Sequence, residues 1–230
     1  MQRYILNNQT KTFYEGDLHH ITKVMRMNSG DNVILCLEGK CHLSKIDIKD
    51  KQVTYEFIEE LNNKKTLNIT LIQGSLKGTK IDTTIKYATI FGAKSIIVTN
   101  FNRSIGRVKN SDFKTERYFN IAKEAAELSH REMIPAIELK ESLKQIVWDQ
   151  YDYILLADEE EHNMQLQNLQ LEDAINKKIA VIIGPEGGID DNERDYFKSV
   201  NAQSISLGNY IFPAEIAGIS VLNILSNLNY

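Results

Sequence analysis

The sequence predicts an α/β protein. A mostly parallel sheet with helices on both faces is expected over residues 67–230, preceded by a small β-barrel-like module at residues 1–66. Three observations carry this. Ile179 to Ile183 form an uninterrupted, mostly β-branched apolar run, as in a parallel strand covered on both faces. From Leu67 onward, segments of strand and helix character alternate to the end of the chain, which is the pattern of a mostly parallel sheet. Before that point the chain reads as short strands cut by turn signals.

In the front module, Asn28-Ser29-Gly30-Asp31-Asn32 is a turn, Val33 to Leu37 a strand, and Glu38-Gly39-Lys40 a second turn. Cys41 to Ile48 and Val53 to Ile58 alternate as two further strands. Between Asp17 and Met27, Leu18, Ile21, Val24 and Met25 recur at helical spacing. His19 and His20 sit on that helix as surface or capping residues, because no third metal ligand is in view. Lys23 and Arg26 at its far end suit phosphates, or simply a solvated face. Asn62-Asn63-Lys64-Lys65 is polar and aperiodic, and the domain boundary is placed there.

Leu67 to Gln73 is then a strand, Gly74 to Gly78 a loop, and Ile81 to Phe91 a helix closed by Gly92. Ser95 to Thr99 is the next strand. The loop Phe101 to Arg107 follows it, presenting Arg103 and Arg107 beyond a strand end, where guanidinium groups can meet a phosphate or nucleotide. A helix is expected over Asp112 to Arg131, a strand over Tyr153 to Ala157, and a helix ending at Ala174 to Lys178. The run Asp158 to His162 reads as a loop and helix start rather than a metal site. After Ile183 come Gly184-Pro185-Glu186-Gly187-Gly188 and a helix starting near Asp191. A short strand over Ser204 to Gly208 and a closing helix from Ala214 to Leu228, with Pro213 in its first turn, complete the chain.

Ligands of open α/β sheets bind outside the carboxyl ends of the strands, so the Gly184 to Gly188 loop is the candidate site. The same residues also suit a plain strand-to-helix connection. The loop is neither a G-x-G-x-x-G nor a Walker sequence. A second strand end, at Gly208, lies in the same sheet, and the two loops are placed to frame one pocket.

Composition narrows the classes. The net charge is −4, which argues against a strongly basic nucleic-acid binder. The charge is uneven, however: residues 1–70 carry 10 Lys and Arg against 9 Asp and Glu, residues 71–150 carry 13 against 9, and residues 151–230 carry 4 against 13. A neutral-to-basic front is compatible with an anionic partner. Cys36 and Cys41 are the only cysteines, give no zinc framework, and are expected as buried or half-buried thiols. No apolar run approaches the roughly 20 residues of a membrane helix and no signal peptide precedes Met1-Gln2-Arg3-Tyr4, so a cytoplasmic protein is expected.

Two segments together carry a resemblance. Ile183-Gly184-Pro185-Glu186-Gly187-Gly188 and Leu207-Gly208-Asn209-Tyr210-Ile211-Phe212-Pro213-Ala214-Glu215-Ile216-Ala217 resemble the SPOUT methyltransferases, and most of all the ribosomal RNA small subunit methyltransferase E family. His19 to Arg26 with Gly30-Asp31 matches that family's start. Lys77-Gly78, Ala88-Thr89 with Gly92-Ala93, Asn102-Arg103-Ser104, and Arg117 through Ile121 to Glu127, on to Arg131 and Pro135, match its middle. The resemblance implies a PUA-like RNA-binding barrel followed by a trefoil-knotted domain, a homodimer, and methyl transfer from S-adenosylmethionine to N3 of a uridine in 16S ribosomal RNA. From the composition and the absence of a ligand cluster, no metal and no membrane partner are expected.

By the same resemblance, Leu156, Ala157, Gly184, Glu186, Gly187, Gly188, Leu207, Gly208, Ile211 and Ala217 contact the cofactor. Arg103 is the candidate for stabilising charge on the uracil or holding its phosphate, with Glu186 shaping the pocket, and Lys23, Arg26, Arg103 and Arg107 are the RNA-binding candidates. The chain departs from the family pattern: Tyr210 and Pro213 stand at arginine positions and Ile216 at a threonine. Tyr87 stands where the family has Lys, Ile90 where it has Glu, and Leu128 where it has Gln. Three readings stay open: methylation of 16S ribosomal RNA, methylation of another RNA, or an RNA-binding or ribosome-assembly protein that has lost the chemistry.

Overall fold

The computed structural model describes residues 1–50, 52–62, 66–109, 112–169, 171 and 173–227. Leu228, the expected end of the last helix, and Asn63, Lys64 and Lys65 of the expected boundary lie outside the described residues. The chain divides into two compact units, residues 1–64 with 126–134, and residues 65–125 with 135–230.

The first unit is a four-stranded sheet in the order β1-β2-β3-β4. β1 (Arg3–Ile5) pairs in parallel with β2 (Asn32–Leu37), and β3 (Lys40–Lys49) and β4 (Gln52–Glu60) continue antiparallel. A tight turn at Glu38 and Gly39, both at positive φ, joins β2 to β3. Helix α1 (Glu15–His19) runs on into a π-helical turn, His20–Val24, that buries Ile21. Tyr4, Leu6, Phe13, Ile21, Val33, Leu35 and Ile46 make one core. Ala126 joins Ile5, Cys36 and Cys41 in a smaller cluster, Glu127 accepts a hydrogen bond from the Ile5 N–H at 2.9 Å, and Arg3 donates to the His130 carbonyl at 2.6 Å.

The two cysteines correct an expectation. They are buried as expected, but form a disulfide rather than two thiols. The β2–β3 register sets Cys36 directly opposite Cys41, with 4.0 Å between their Cα atoms. The turn between them brings the pair together, which sequence spacing alone did not reveal.

The second unit is a six-stranded, all-parallel sheet in the order β10-β8-β9-β5-β6-β7. Its strands are β5 (Asn68–Gly74), β6 (Ser95–Thr99), β7 (Ala136–Lys140), β8 (Tyr153–Ala157), β9 (Lys178–Ile183) and β10 (Gln203–Ile205). Side chains alternate between faces, and both faces are covered. Ile72 and Ile182 lie in a core with Phe101, Trp148 and Phe197 of α4 (Asp191–Ser199). Leu71 and Ile183 meet Gly218 of α5 (Ala214–Asn227), which packs beside α2 (Lys80–Ile90). The central strand β9 is buried from Ile179 to Ile183, as its unbroken apolar run requires.

Two elements differ from expectation. Helix α3 (Asp112–Leu128) stops before Arg131. Between β8 and β9 the expected α-helix is missing: the described residues there form single 3-10 turns at Leu166–Asn168 and Ala174–Asn176. Asp173, at φ 51°, starts the second turn in a left-handed conformation that an α-helix does not accept. Strand β7 was not anticipated, because it is less buried than the central strands and its sequence, Ala-Ile-Glu-Leu-Lys, carries two charges.

Candidate active site

The carboxyl ends of β8, β9 and β10 lie side by side in the parallel sheet, with Ala157 opposite both Ile183 and Ile205. The segments beyond them enclose a cavity of about 840 Å³. Three stretches form its walls: Ala157 to Gln165, Ile183 to Ile189, and Ser206 to Ala217; Lys80 of α2 completes them.

Close backbone packing builds the Gly184 to Gly188 wall. A Cβ on Gly74, at the end of β5, would stand 2.5 Å from the Pro185 nitrogen and 2.8 Å from the Gly184 carbonyl carbon. One on Gly187 would stand 2.8 Å from the Arg103 carbonyl oxygen. Only glycine lets these backbones approach so closely. The buried Gln73 side chain donates to the Gly184 carbonyl at 3.3 Å, and the Gly188 N–H closes a turn onto Pro185 at 3.0 Å.

A capping box then starts α4. Asp190 Oδ1 accepts from the Glu193 N–H at 2.8 Å, and Glu193 Oε2 accepts from the Asp190 N–H at 3.2 Å. The same two carboxylates hold the next loop: Glu193 Oε1 accepts from the Asn102 N–H at 2.6 Å, and Asp190 Oδ2 from the Asn102 amide at 2.7 Å. Arg194 fixes the wall beyond β8 by a two-point bond to Asp158, at 2.8 and 3.1 Å, with Glu160 at 2.9 Å. Its side-chain bond to Asp158 raises the already high pKa of Arg194 further.

Of the residues implied as cofactor contacts, Ala157, Gly184, Glu186, Gly188, Leu207, Gly208, Ile211 and Ala217 line the cavity. Leu156 does not: it is 2% exposed and belongs to the core beside Phe197. Gly187 also lies outside the lining and instead backs onto Arg103. Arg103 is exposed, and its guanidinium bonds the carbonyls of Gly187 and Ile189 at 3.4 Å each, outside the cavity lining. Arg107 reaches the Asn102 carbonyl at 3.4 Å, so both arginines lie along one loop. Lys23 and Arg26 are exposed on the first unit.

Sequence reasoning missed a cluster at the cavity wall. Lys80 Nζ lies 3.3 Å from Glu215 Oε1 and 3.5 Å from Glu186 Oε1, and Glu186 Oε1 also accepts from the Lys77 N–H at 3.0 Å. The second oxygen of each carboxylate, Glu186 Oε2 and Glu215 Oε2, is buried with no hydrogen-bond partner. Burial works to raise the Glu186 carboxyl, but the N–H groups of Lys77 and Glu186 itself, with Lys80, hold it below its ordinary range. The hydrogen bond to Glu215 lifts Lys80 above its own. Lys80 is the one Lys or Arg among the described residues that line the cavity. Glu215 stood within the quoted C-terminal motif, whereas Lys80 carried no signal beyond its place after Lys77-Gly78. The acidic wall Asp158 to His162 was visible in the sequence, but only the fold turns it toward the loop at Gly184.

Among the described residues, no group of three His, Cys, Asp or Glu side chains is placed to hold a metal ion, and no helix is long and apolar enough to cross a membrane.

An all-parallel α/β unit with a glycine-built cavity at its strand ends stands in one chain with a small β unit, and two family matches make this chain an RNA methyltransferase. The RNA methyltransferase domain family matches residues 63–226, and the RNA methyltransferase PUA domain family matches residues 13–55. Ribosomal RNA small subunit methyltransferase E of Bacillus subtilis is 30% identical, over 98% of this chain and 96% of its own length. The protein of that name from Aquifex aeolicus is 28% identical over 93% and 92%. The chain belongs to the ribosomal RNA small subunit methyltransferase E family. A crystal structure of the Neisseria gonorrhoeae member bound to S-adenosyl methionine shares the fold, with a TM-score of 0.80 and 21% identity over 96% of this chain and 95% of that one.

Proposed function

We propose that this chain transfers a methyl group from S-adenosylmethionine to N3 of a uridine in 16S ribosomal RNA. The observation that carries the reading is the cavity at the ends of β8, β9 and β10, walled by the Gly184 to Gly188 loop. Its volume of about 840 Å³ suits a nucleoside-sized ligand. Ile183, Leu207, Ile211 and Ala217 offer apolar walls for an adenine, and the loop's backbone groups come close because Gly184 and Gly188 have no side chains. When bound, the cofactor supplies an electrophilic methyl group on a sulfonium, so no covalent bond to the enzyme is required. The chain's own part is to hold the uracil in line with that methyl, exclude water and take up the N3 proton.

Residues 67–230 serve as the catalytic domain, with its chain passing through a trefoil knot, and residues 1–66 as the RNA-binding barrel. Arg103 and Arg107, on one exposed loop beyond β6, hold RNA phosphates, as do Lys23 and Arg26 on the first unit. The protein acts as a homodimer in the cytoplasm, on the small subunit or its RNA. A target base paired in a helix has to be flipped out of its stack to enter the cavity.

A second reading, RNA binding without transfer, is favoured by Tyr210 and Pro213, which line the cavity at the two positions where the family pattern has arginine. Calorimetric titration with S-adenosylmethionine separates the two. Saturable binding is expected for the wild type and is lost in Gly187→Val, whose side chain displaces the loop from Arg103. No binding at millimolar cofactor sinks the transferase reading. Arg103→Ala is expected to lose transfer while keeping the cofactor affinity, and equal loss of both removes Arg103 from its part in RNA positioning.

A further inference from the structure

The cluster Lys80, Glu186 and Glu215 sits on the cavity wall with two carboxylate oxygens unpartnered. A buried acceptor without a donor is costly, and such groups stand where a ligand or a chemical role completes them. The terminal torsion of a glutamate is broad and roughly two-fold, so rotation about it turns an oxygen toward the cavity. What arrives there must carry a hydrogen-bond donor flanked by an acceptor, because the wall offers carboxylate acceptors immediately beside an ammonium donor.

We propose that Lys80 and Glu215 read the imide edge of the target uracil, and that Glu215 is the group that accepts its N3 proton; this rests on the function proposed above. The edge of uracil presents O4, N3–H and O2, an acceptor, a donor and an acceptor. Glu215 receives the N3–H while the Lys80 ammonium donates to the neighbouring carbonyl oxygen. Cytosine presents a bare N3 acceptor and an amino donor there, so it sets a lone pair against the carboxylate and a donor against the ammonium. A site built to bond a polar group rejects the analogue that leaves its buried groups unpaired.

The same pair balances the reaction. The N3–H bond breaks and its proton passes to the Glu215 carboxylate. The N3 electron pair forms the bond to the methyl carbon as the sulfur–methyl bond breaks, and that bond's electrons stay on sulfur. Negative charge developing on the imide oxygens faces Lys80, the one Lys or Arg among the described residues lining the cavity. Glu186, bonded to the Lys77 N–H, positions Lys80 from its other side and is a positioning residue.

The test is Glu215→Gln in the full-length protein, with unmodified small subunits as substrate, read by kcat against pH and by calorimetric titration with S-adenosylmethionine. Glutamine keeps the shape but is no base. The expected result is a kcat lower by about 10²–10³-fold, typical of removing a general base. The cofactor dissociation constant stays within about twofold, because the charge removed faces the base and not the cofactor. The residual rate rises with pH above neutrality, because only the imide that has already lost its N3 proton to solvent can react without a base. Lys80→Gln is expected to lower kcat as well, and Lys80→Arg to restore part of it. An unchanged kcat in Glu215→Gln, a residual rate flat with pH, or a matching loss of cofactor affinity overturns the assignment. A wild-type protein that binds no cofactor would instead sink the transferase reading, which is a separate outcome.

Discussion

At Gly74 and Gly187 a single hydrogen in place of a side chain decides the shape of the cavity wall. The space for a Cβ on Gly74 is already taken by the backbone of Pro185 and Gly184, at 2.5 and 2.8 Å. Backbone cannot swing aside as the end of a flexible side chain can, so the loop must move. Gly74→Ala is therefore expected to cost about 1–3 kcal/mol of stability, as overpacking does. It should also weaken cofactor binding at least tenfold, about 1.4 kcal/mol. Urea denaturation and titration of the same sample check both, and unchanged affinity would dissociate the loop from the cofactor. The glycines of the loop itself were legible in the sequence because they stand in a row after an apolar strand. Gly74 was not, since its partners Gly184 and Pro185 lie far along the chain. The same limit hid Lys80, whose meaning lies in Glu186 and Glu215, supplied by two other segments.

Helix α4 is the element on which the site turns, because its first residues cap both itself and the Asn102-Arg103 loop. Glu193 is 5% exposed and receives N–H groups from both Asn102 and Asp190. Glu193→Ala leaves the Asn102 and Asp190 donors to be satisfied elsewhere and is expected to cost about 1–3 kcal/mol, measurable in urea. Asp190 adds a pH dependence of known sign. The Glu193 N–H first, then the Asn102 amide, hold its carboxyl below the ordinary 3.8. A depressed carboxyl contributes stability that is complete above its unfolded value and lost as pH falls through its folded one. The difference in stability between wild type and Asp190→Asn should thus be constant from neutral pH down to about 4 and shrink only below the ordinary 3.8. A difference that changes between about pH 5 and 8 would assign it to another group. The start of α4 was readable from Asp190, Asp191 and Glu193, and β9 from its unbroken apolar run. The connection from β8 to β9 was not, because a polar stretch with an acidic start has the composition of a helix N-terminus and of a cavity wall alike, and only its packing against Arg194 separates them.

Across the whole molecule, charge is distributed against the direction of its chemistry. The cavity wall beyond β8 is acidic, with Asp158, Glu159 and Glu161, so it repels phosphates and favours a ligand that carries positive charge. RNA phosphates have to be met elsewhere, and the four exposed cations Lys23, Arg26, Arg103 and Arg107 lie outside that wall. The neutral-to-basic front and acidic rear were plain in the sequence, whereas the disulfide and the extension of the first unit by residues 126–134 depend on register and long-range packing that no local pattern encodes. The separation of charges makes RNA and cofactor respond differently to salt. Each phosphate contact adds about 0.7–0.9 to the slope of log affinity against log salt. Lys23→Gln with Arg26→Gln, or Arg103→Gln with Arg107→Gln, is therefore expected to flatten that slope by about 1.5 for RNA. Neither pair should alter the cofactor affinity, since none of the four residues lines the cavity. Filter binding of 16S ribosomal RNA between about 50 and 200 mM salt measures the slope. A pair whose removal leaves it unchanged does not touch phosphate, and a pair that weakens the cofactor instead belongs to the wall and not to the RNA surface.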